Sequence, residues 1–223
     1  MNKSKTEEQF KDVLHECREL FAKKLHDYGA SWRILRPSSL TDQLYIKAKR
    51  IRSIETKHEA LVDEGIRPEF IGLINYGIIG LIQLQKGFAD TIDLTPEAAL
   101  EAYDAQAETA FQLMKRKNHD YDEAWREMRI SSYTDLILTK LQRIKEIENL
   151  GGATLVSEGI DANYMDHQLC CFRCSETQRS NLSNNQCEAT ALKMAHPGQP
   201  IYIGARFHLL GLCESHRPDG NAI

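Results

Sequence analysis

Lys47 and Arg50 stand three residues apart, and so do Lys140 and Arg143. On a helix that spacing puts both cations on one face, one turn apart. A guanidinium offers a bidentate fork and an ammonium a compact charge, and together they suit the oxygens of a phosphate. A solvated face with aliphatic stems laid along a core would show the same spacing. Asp27-Tyr28 and Asp120-Tyr121 are followed by Trp32 and Trp125. Rings beside an acid and a cation could stack a base while the acid binds its edge. The structural alternative is an Asp-made turn with the rings filling a core. Glu64 precedes Asn75 by eleven residues, and Glu158 precedes Asp166 by eight. Down one side of a helix, these acids and the amide could hold a divalent cation, Mg²⁺, against a triphosphate. Acids in a first helical turn are also ordinary partners of the helix dipole.

These candidates come in pairs because the chain repeats itself. Lys24–Glu55 aligns without gaps on Lys117–Glu148, and half of the aligned positions are identical. Among them are His26/His119, Asp27/Asp120, Tyr28/Tyr121, Trp32/Trp125, Thr41/Thr134, Asp42/Asp135, Lys47/Lys140, Arg50/Arg143 and Glu55/Glu148. After one inserted residue the match resumes, with Glu64-Gly65-Ile66 on Glu158-Gly159-Ile160. Self-similarity of this kind marks a duplicated module.

Each module reads as three helices. The first spans roughly 7–24, with its partner over 96–117, where Thr95-Pro96-Glu97 supplies a capping hydroxyl and a proline in the first turn. A connection follows, through Arg36-Pro37-Ser38-Ser39 in the first copy. The second helix is expected to begin near Thr41 or Thr134, with Asp42 and Asp135 as helix-start residues. Its apolar stripe is Leu44, Ala48, Ile51 and Ile54, matched by Ile137, Leu141, Ile144 and Ile147. The third helix of the first copy, roughly 68–85, is apolar almost all round and should be central. Gly72, Gly77 and Gly80 on it permit close approach of other helices. No alternating strand pattern occurs. The expected fold is all-α: a tandem pair of three-helix modules packed as a pseudo-symmetric helical bundle, with an irregular C-terminal tail.

The expected divisions are 1–93, 94–166 and a tail over 167–223. The second copy's third helix starts well and then turns polar and cysteine-rich at His167-Gln168-Leu169-Cys170-Cys171. Reverse-translated and read one base later, this stretch gives Ile-Asn-Tyr-Ala-Val-Phe-Ala-Ala-Leu-Lys-Leu. The first copy has Ile74-Asn75-Tyr76-Gly77-Ile78-Ile79-Gly80-Leu81-Ile82-Gln83-Leu84 in that place. The tail is therefore expected to be out of frame and poorly ordered, with the helix truncated at 166 and apolar surface left exposed. The competing reading is zinc, on Cys171-x-x-Cys174 and Cys213-x-x-His216.

A formal charge of −4 argues against a broad nucleic-acid-tracking surface. There is no run of membrane-spanning length, and Met1–Phe10 is polar, so the expectation is a cytoplasmic protein without a membrane partner. A homo-oligomer is compatible with these features.

The combination Lys24-x-x-Asp27-Tyr28-Gly29…Trp32, Asp42…Lys47-x-x-Arg50-Ile51, then Glu…Asp-x-x-Asn-Tyr, its acids at Glu158 and Asp166 in the second copy and its Glu and Asn-Tyr at Glu64 and Asn75-Tyr76 in the first, resembles the nucleotide modification associated domain, first type. The resemblance covers about residues 8–166. It implies a small helical domain tied to nucleotide or DNA-base modification. The acid-rich third helix is also similar in organisation to all-α nucleotide pyrophosphatases of the MazG type, although their paired Glu-Glu motif is missing here. The expected function is nucleotide binding, with Mg²⁺-dependent phosphohydrolysis as its stronger form. Lys47, Arg50, Lys140 and Arg143 would hold phosphates. Asp27, Tyr28, Trp32, Asn75, Tyr76, Asp120, Tyr121 and Trp125 would bind the nucleotide or nucleoside triphosphate, and Glu64, Glu158 and Asp166 the metal. The alternative is a non-catalytic interaction or scaffold protein whose duplicated charges are structural.

Overall fold

The computed structural model describes residues 3–57 and 66–176, all within one compact unit, Met1–Ser180. The described residues form helices and turns and no strand. The first copy contributes α1 (Lys3–Tyr28), α2 (Pro37–Lys57) and α3 (Arg67–Lys86). The second contributes α4 (Pro96–Tyr121), α5 (Ile130–Asn149) and α6, over 160–176. A 3₁₀ turn joins the first two helices of each copy, at Ser31–Ile34 and Ala124–Glu127.

The start signal at Thr95 holds: its hydroxyl accepts from Ala98 N–H at 3.2 Å, with proline next in the chain. The second helices begin earlier than expected. Pro37 opens α2 because the first helical position needs no N–H and proline's fixed φ already suits it. Asp42 and Asp135 therefore sit inside the helices and do not start them.

The two copies meet about a pseudo-two-fold axis. α2 packs on α5 through Leu44, Ala48 and Ile51 and their counterparts Ile137, Leu141 and Ile144, all fully buried. Each fully buried Leu or Ile side chain contributes about 1.5–3 kcal/mol. The polar contacts are reciprocal. Thr41 Oγ1 donates to Glu148 Oε1 at 2.7 Å, and Thr134 Oγ1 to Glu55 Oε1 at 2.9 Å. Lys145 meets Asp42 at 2.8 Å, and its counterpart Arg52 meets Asp135 at 3.8 Å. Burial raises the pKa of both Glu55 and Glu148, partly offset by the threonine hydroxyls. Three members of the recurring polar set, Thr41, Asp42 and Glu55 with their counterparts, are thus spent on joining the copies.

α3 is central, as its apolar sequence requires, and touches α1, α2 and α4. It also meets α6 closely. A Cβ on Gly80 would overlap the Tyr164 ring, and one on Gly77 would sit 3.0 Å from Gln168 Cγ.

α6 differs from the expected truncation at 166. It continues through 176 and is buried there: Leu169, Cys171, Phe172 and Cys174 enter the core, and Phe172 packs 4.2 Å from Phe10, centroid to centroid. Apolar side chains three residues apart are enough to keep one face inside. The polar residues between them go in as well. His167 Nδ1, Gln168 Nε2 and Ser175 Oγ are buried without a hydrogen-bond partner among the described residues. Burial pushes the His167 pKa down to about 3.

Candidate functional site

The first copy gathers most of its candidates around one cavity of about 540 Å³, between α1, α2 and α3. That is within the size range of small-molecule sites. α1 supplies Lys24 and Tyr28, the 3₁₀ turn Trp32, α2 Lys47, and α3 Glu69, Gly72, Asn75 and Tyr76. Tyr28 is half exposed. Its pKa is raised by partial burial first, then by the neighbouring Tyr76 and Asp27. Asn75 is buried and held from the second copy: Tyr103 Oη donates to Asn75 Oδ1 at 2.7 Å. This fixes the amide and leaves Nδ2 as its other polar group.

The charged end of the cavity centres on Glu69, which the sequence reading did not single out. It is buried and accepts from Lys47 Nζ at 3.2 Å and from Arg50 Nη1. A buried carboxylate needs such partners to stay charged. The expected phosphate pair is therefore already engaged by a protein anion, and Arg50 is not on the cavity wall. Lys24 is on the wall and has no carboxylate partner among the described residues. Lys47 leans across Gly72: a Cβ there would lie 3.3 Å from Lys47 Cε.

The second copy places the equivalent cations differently. Asp166, the counterpart of Gly72, accepts from Lys117 Nζ with one oxygen and from Lys140 Nζ with the other, at 2.7 Å. Lys117 and Lys140 are the counterparts of Lys24 and Lys47. Burial raises the Asp166 pKa, but the bonds from Lys117 and Lys140 outweigh it and hold the carboxyl below its ordinary range. Arg143 is exposed and has no acid partner among the described residues. Trp125 is buried against Arg126 and Phe172, and its Nε1 donates to Asn118 Oδ1 at 3.1 Å. Tyr121 is largely exposed. Asn75 and Tyr76 have no like counterparts, since Leu169 and Cys170 stand there.

Asp27 and Asp120 are not brought to either site. Both are exposed and face the preceding histidine, His26 at 3.3 Å and His119 at 3.1 Å. Glu158 and Asp166 share a wall of a second cavity of about 550 Å³ with Lys117 and Asp161. Glu64, Cys213 and His216 lie outside the described residues. Among the described residues no three His, Cys, Asp or Glu side chains are grouped to hold a metal. Both oxygens of Asp166 already carry lysine partners.

Two tryptophan-bearing segments, residues 24–84 and 117–167, match the family described as nucleotide modification associated domain 1. Together they cover half of the chain, in the two places where the repeat lies. No curated protein and no solved structure matches the chain. Among the described residues no helix is long and apolar enough to cross a membrane.

Proposed function

The chain belongs to the nucleotide modification associated domain 1 family, and from that premise we propose that its first copy binds a nucleotide. The observation that carries the reading is the exchange of Asp166 for Gly72. The second copy sets its own carboxylate between Lys117 and Lys140. The first copy has the same two lysines, Lys24 and Lys47, on a cavity wall with a glycine at that position. A ligand phosphate would take the part that the Asp166 carboxylate plays in the second copy. The rings of Tyr28 and Tyr76 then flank the path of a base. The reading needs no metal.

Calorimetric titration of the full chain with a nucleotide panel, with and without Mg²⁺, tests it. Saturable binding is expected at or below about 1 mM, weakened by Lys24→Ala and by Tyr76→Ala. No binding of any nucleotide at that concentration would sink it. Phosphate release that depends on Mg²⁺ would extend the reading to the stronger, phosphohydrolase form.

The scaffold reading draws support from the reciprocal Thr41–Glu148 and Thr134–Glu55 bonds, which give part of the duplicated set a structural use. It expects Lys24→Ala to leave every ligand response unchanged.

A further inference from the structure

The wall of the first-copy cavity carries three charged residues, Lys24, Lys47 and Glu69. Two cations less one anion leave a single net positive charge. Neither lysine is sealed off: Lys24 is exposed, and the Lys47 side chain is 28% exposed. The rest of the wall is uncharged, and Leu20, Ile34, Leu35, Pro68 and Ile79 make much of it apolar. The second copy shows how many anionic groups such a lysine pair takes. One carboxylate, Asp166, accepts from Lys117 with one oxygen and from Lys140 with the other, the latter at 2.7 Å. In the first copy the place of that side chain lies beside Lys47. A Cβ on Gly72 would have Lys47 Cε, Nζ and Cδ as its nearest atoms, with Nζ at 3.4 Å. A phosphate group set there would meet Lys47 as Asp166 meets Lys140.

The same wall limits the length of a phosphate chain. Glu69 precedes Gly72 by three residues, about 4.5 Å nearer the start of α3 on the same side. It already accepts from Lys47 at 3.2 Å and from Arg50. Asn75 and Tyr76 follow Gly72 on the side of the proposed base. Inside the cavity, a second and a third phosphate therefore have only Glu69 or uncharged wall to meet. Beside Glu69 they face a like charge, and on the uncharged wall they give up water without a charged partner. A phosphate monoester carries about −1.5 to −2 near pH 7, which by itself offsets the net charge of the wall.

We propose that the first-copy cavity takes a single phosphate group, and that the charge of its wall makes it select nucleoside monophosphates over di- and triphosphates. This rests on the nucleotide reading above. Sugar phosphates and free phosphate carry the same group, so the test separates these sources. The full chain is titrated with the mono-, di- and triphosphates of adenosine and of uridine, with a chelator present so that no metal neutralises the phosphates. In at least one series the monophosphate is expected to bind about tenfold more tightly than the triphosphate, with the diphosphate between. Ribose 5-phosphate and inorganic phosphate should bind at least about tenfold more weakly than that monophosphate. Glu69→Gln removes the anion from the wall and should narrow the preference to about threefold or less. Ile34→Lys adds a cation at a wall position that is 52% exposed, where folding is not at risk, and should narrow it likewise. Affinity that is equal or rises from mono- to triphosphate in both series overturns the proposal while nucleotide binding stands. So does a preference that neither variant narrows. Ribose 5-phosphate or inorganic phosphate binding as tightly as the nucleotides, or no nucleotide binding at all, overturns both readings together.

Discussion

In each copy a single carboxylate takes two cations, but the copies choose different ones. Glu69 of the first copy takes Lys47 and Arg50. Asp166 of the second, one helical turn further along in register, takes Lys117 and Lys140. The cation left without an acid among the described residues is therefore Lys24 in one copy, on a cavity wall, and Arg143 in the other, exposed. A shift of one acid by one turn separates a copy whose carboxylate pairs Lys47 and Arg50 from one whose carboxylate pairs the two lysines. The duplication has kept the cations and changed which of them the acid takes.

The sharpest way to break this comparison is to make the first copy like the second. Gly72→Asp puts a carboxylate beside Lys47, whose flexible end supplies the three nearest atoms and can give way. Nucleotide affinity should fall by about a hundredfold, roughly 2.7 kcal/mol. The melting temperature should hold or rise. Calorimetric titration beside a thermal scan separates the two effects, and retained affinity would mean that the anion binds elsewhere.

The reverse change acts on stability. Asp166→Asn leaves Lys117 and Lys140, both partly buried, without their carboxylate. The expected loss near neutral pH is about 1–3 kcal/mol, read from urea unfolding. The pH dependence has a definite sign. A carboxyl with a lowered folded pKa contributes stability above its unfolded value and loses it as pH falls through the folded one. The gap between parent and variant should therefore close below about pH 4. A gap that stays constant down to acid pH would remove the ion pair as its cause.

How far the sequence carries these distinctions depends on the residue. The all-round apolar α3 was legible, because burial on every side leaves no other pattern. The cap at Thr95 was legible as local chemistry. The recurring Thr41, Asp42 and Glu55 were not separable from site residues, because a residue facing a pseudo-two-fold axis recurs for the same formal reason as a residue in a site. Lys24 was visible as a repeat but lay on a different helix from Lys47, so no spacing rule joined them. Glu69 has no acidic counterpart, since Asn163 stands there, and recurrence could not flag it. Trp32 Nε1 has no hydrogen-bond partner among the described residues, whereas Trp125 Nε1 donates to Asn118, where the first copy has Leu25; that difference means nothing until both tryptophans are placed.

The third helices give a smaller contrast. His167 occupies the position of Leu73 in the first copy. It is buried, and its pKa is pushed down to about 3 by burial. The unfolded chain therefore binds a proton that the folded one refuses between about pH 6.5 and 3, and stability falls as pH drops through that window. One such proton gives a slope of up to about 1.4 kcal/mol per pH unit. His167→Leu should remove that slope and raise stability at pH 6. Unfolding curves at several pH values that remain parallel between parent and variant would contradict the burial of His167.

The smallest effect lies in the turns after the first helices. Gly29 closes α1 with φ +63°, where glycine has no steric cost. Its counterpart Asp122 holds φ 52° and ψ −143°, a conformation that L side chains rarely adopt. The strain there is of order 1–3 kcal/mol. Asp122→Gly releases it and adds back about 0.5–1 kcal/mol of backbone entropy in the unfolded state. The net expectation is a gain of about 1 kcal/mol, or about 2–4 °C in melting temperature for a chain of this size. Gly29→Asp in the first copy should cost a similar amount. It should also weaken nucleotide binding, because Gly29 follows Tyr28 on the cavity wall. The Asp122 exchange should leave binding untouched. Equal binding losses from both exchanges would mean that the second copy takes part in the site.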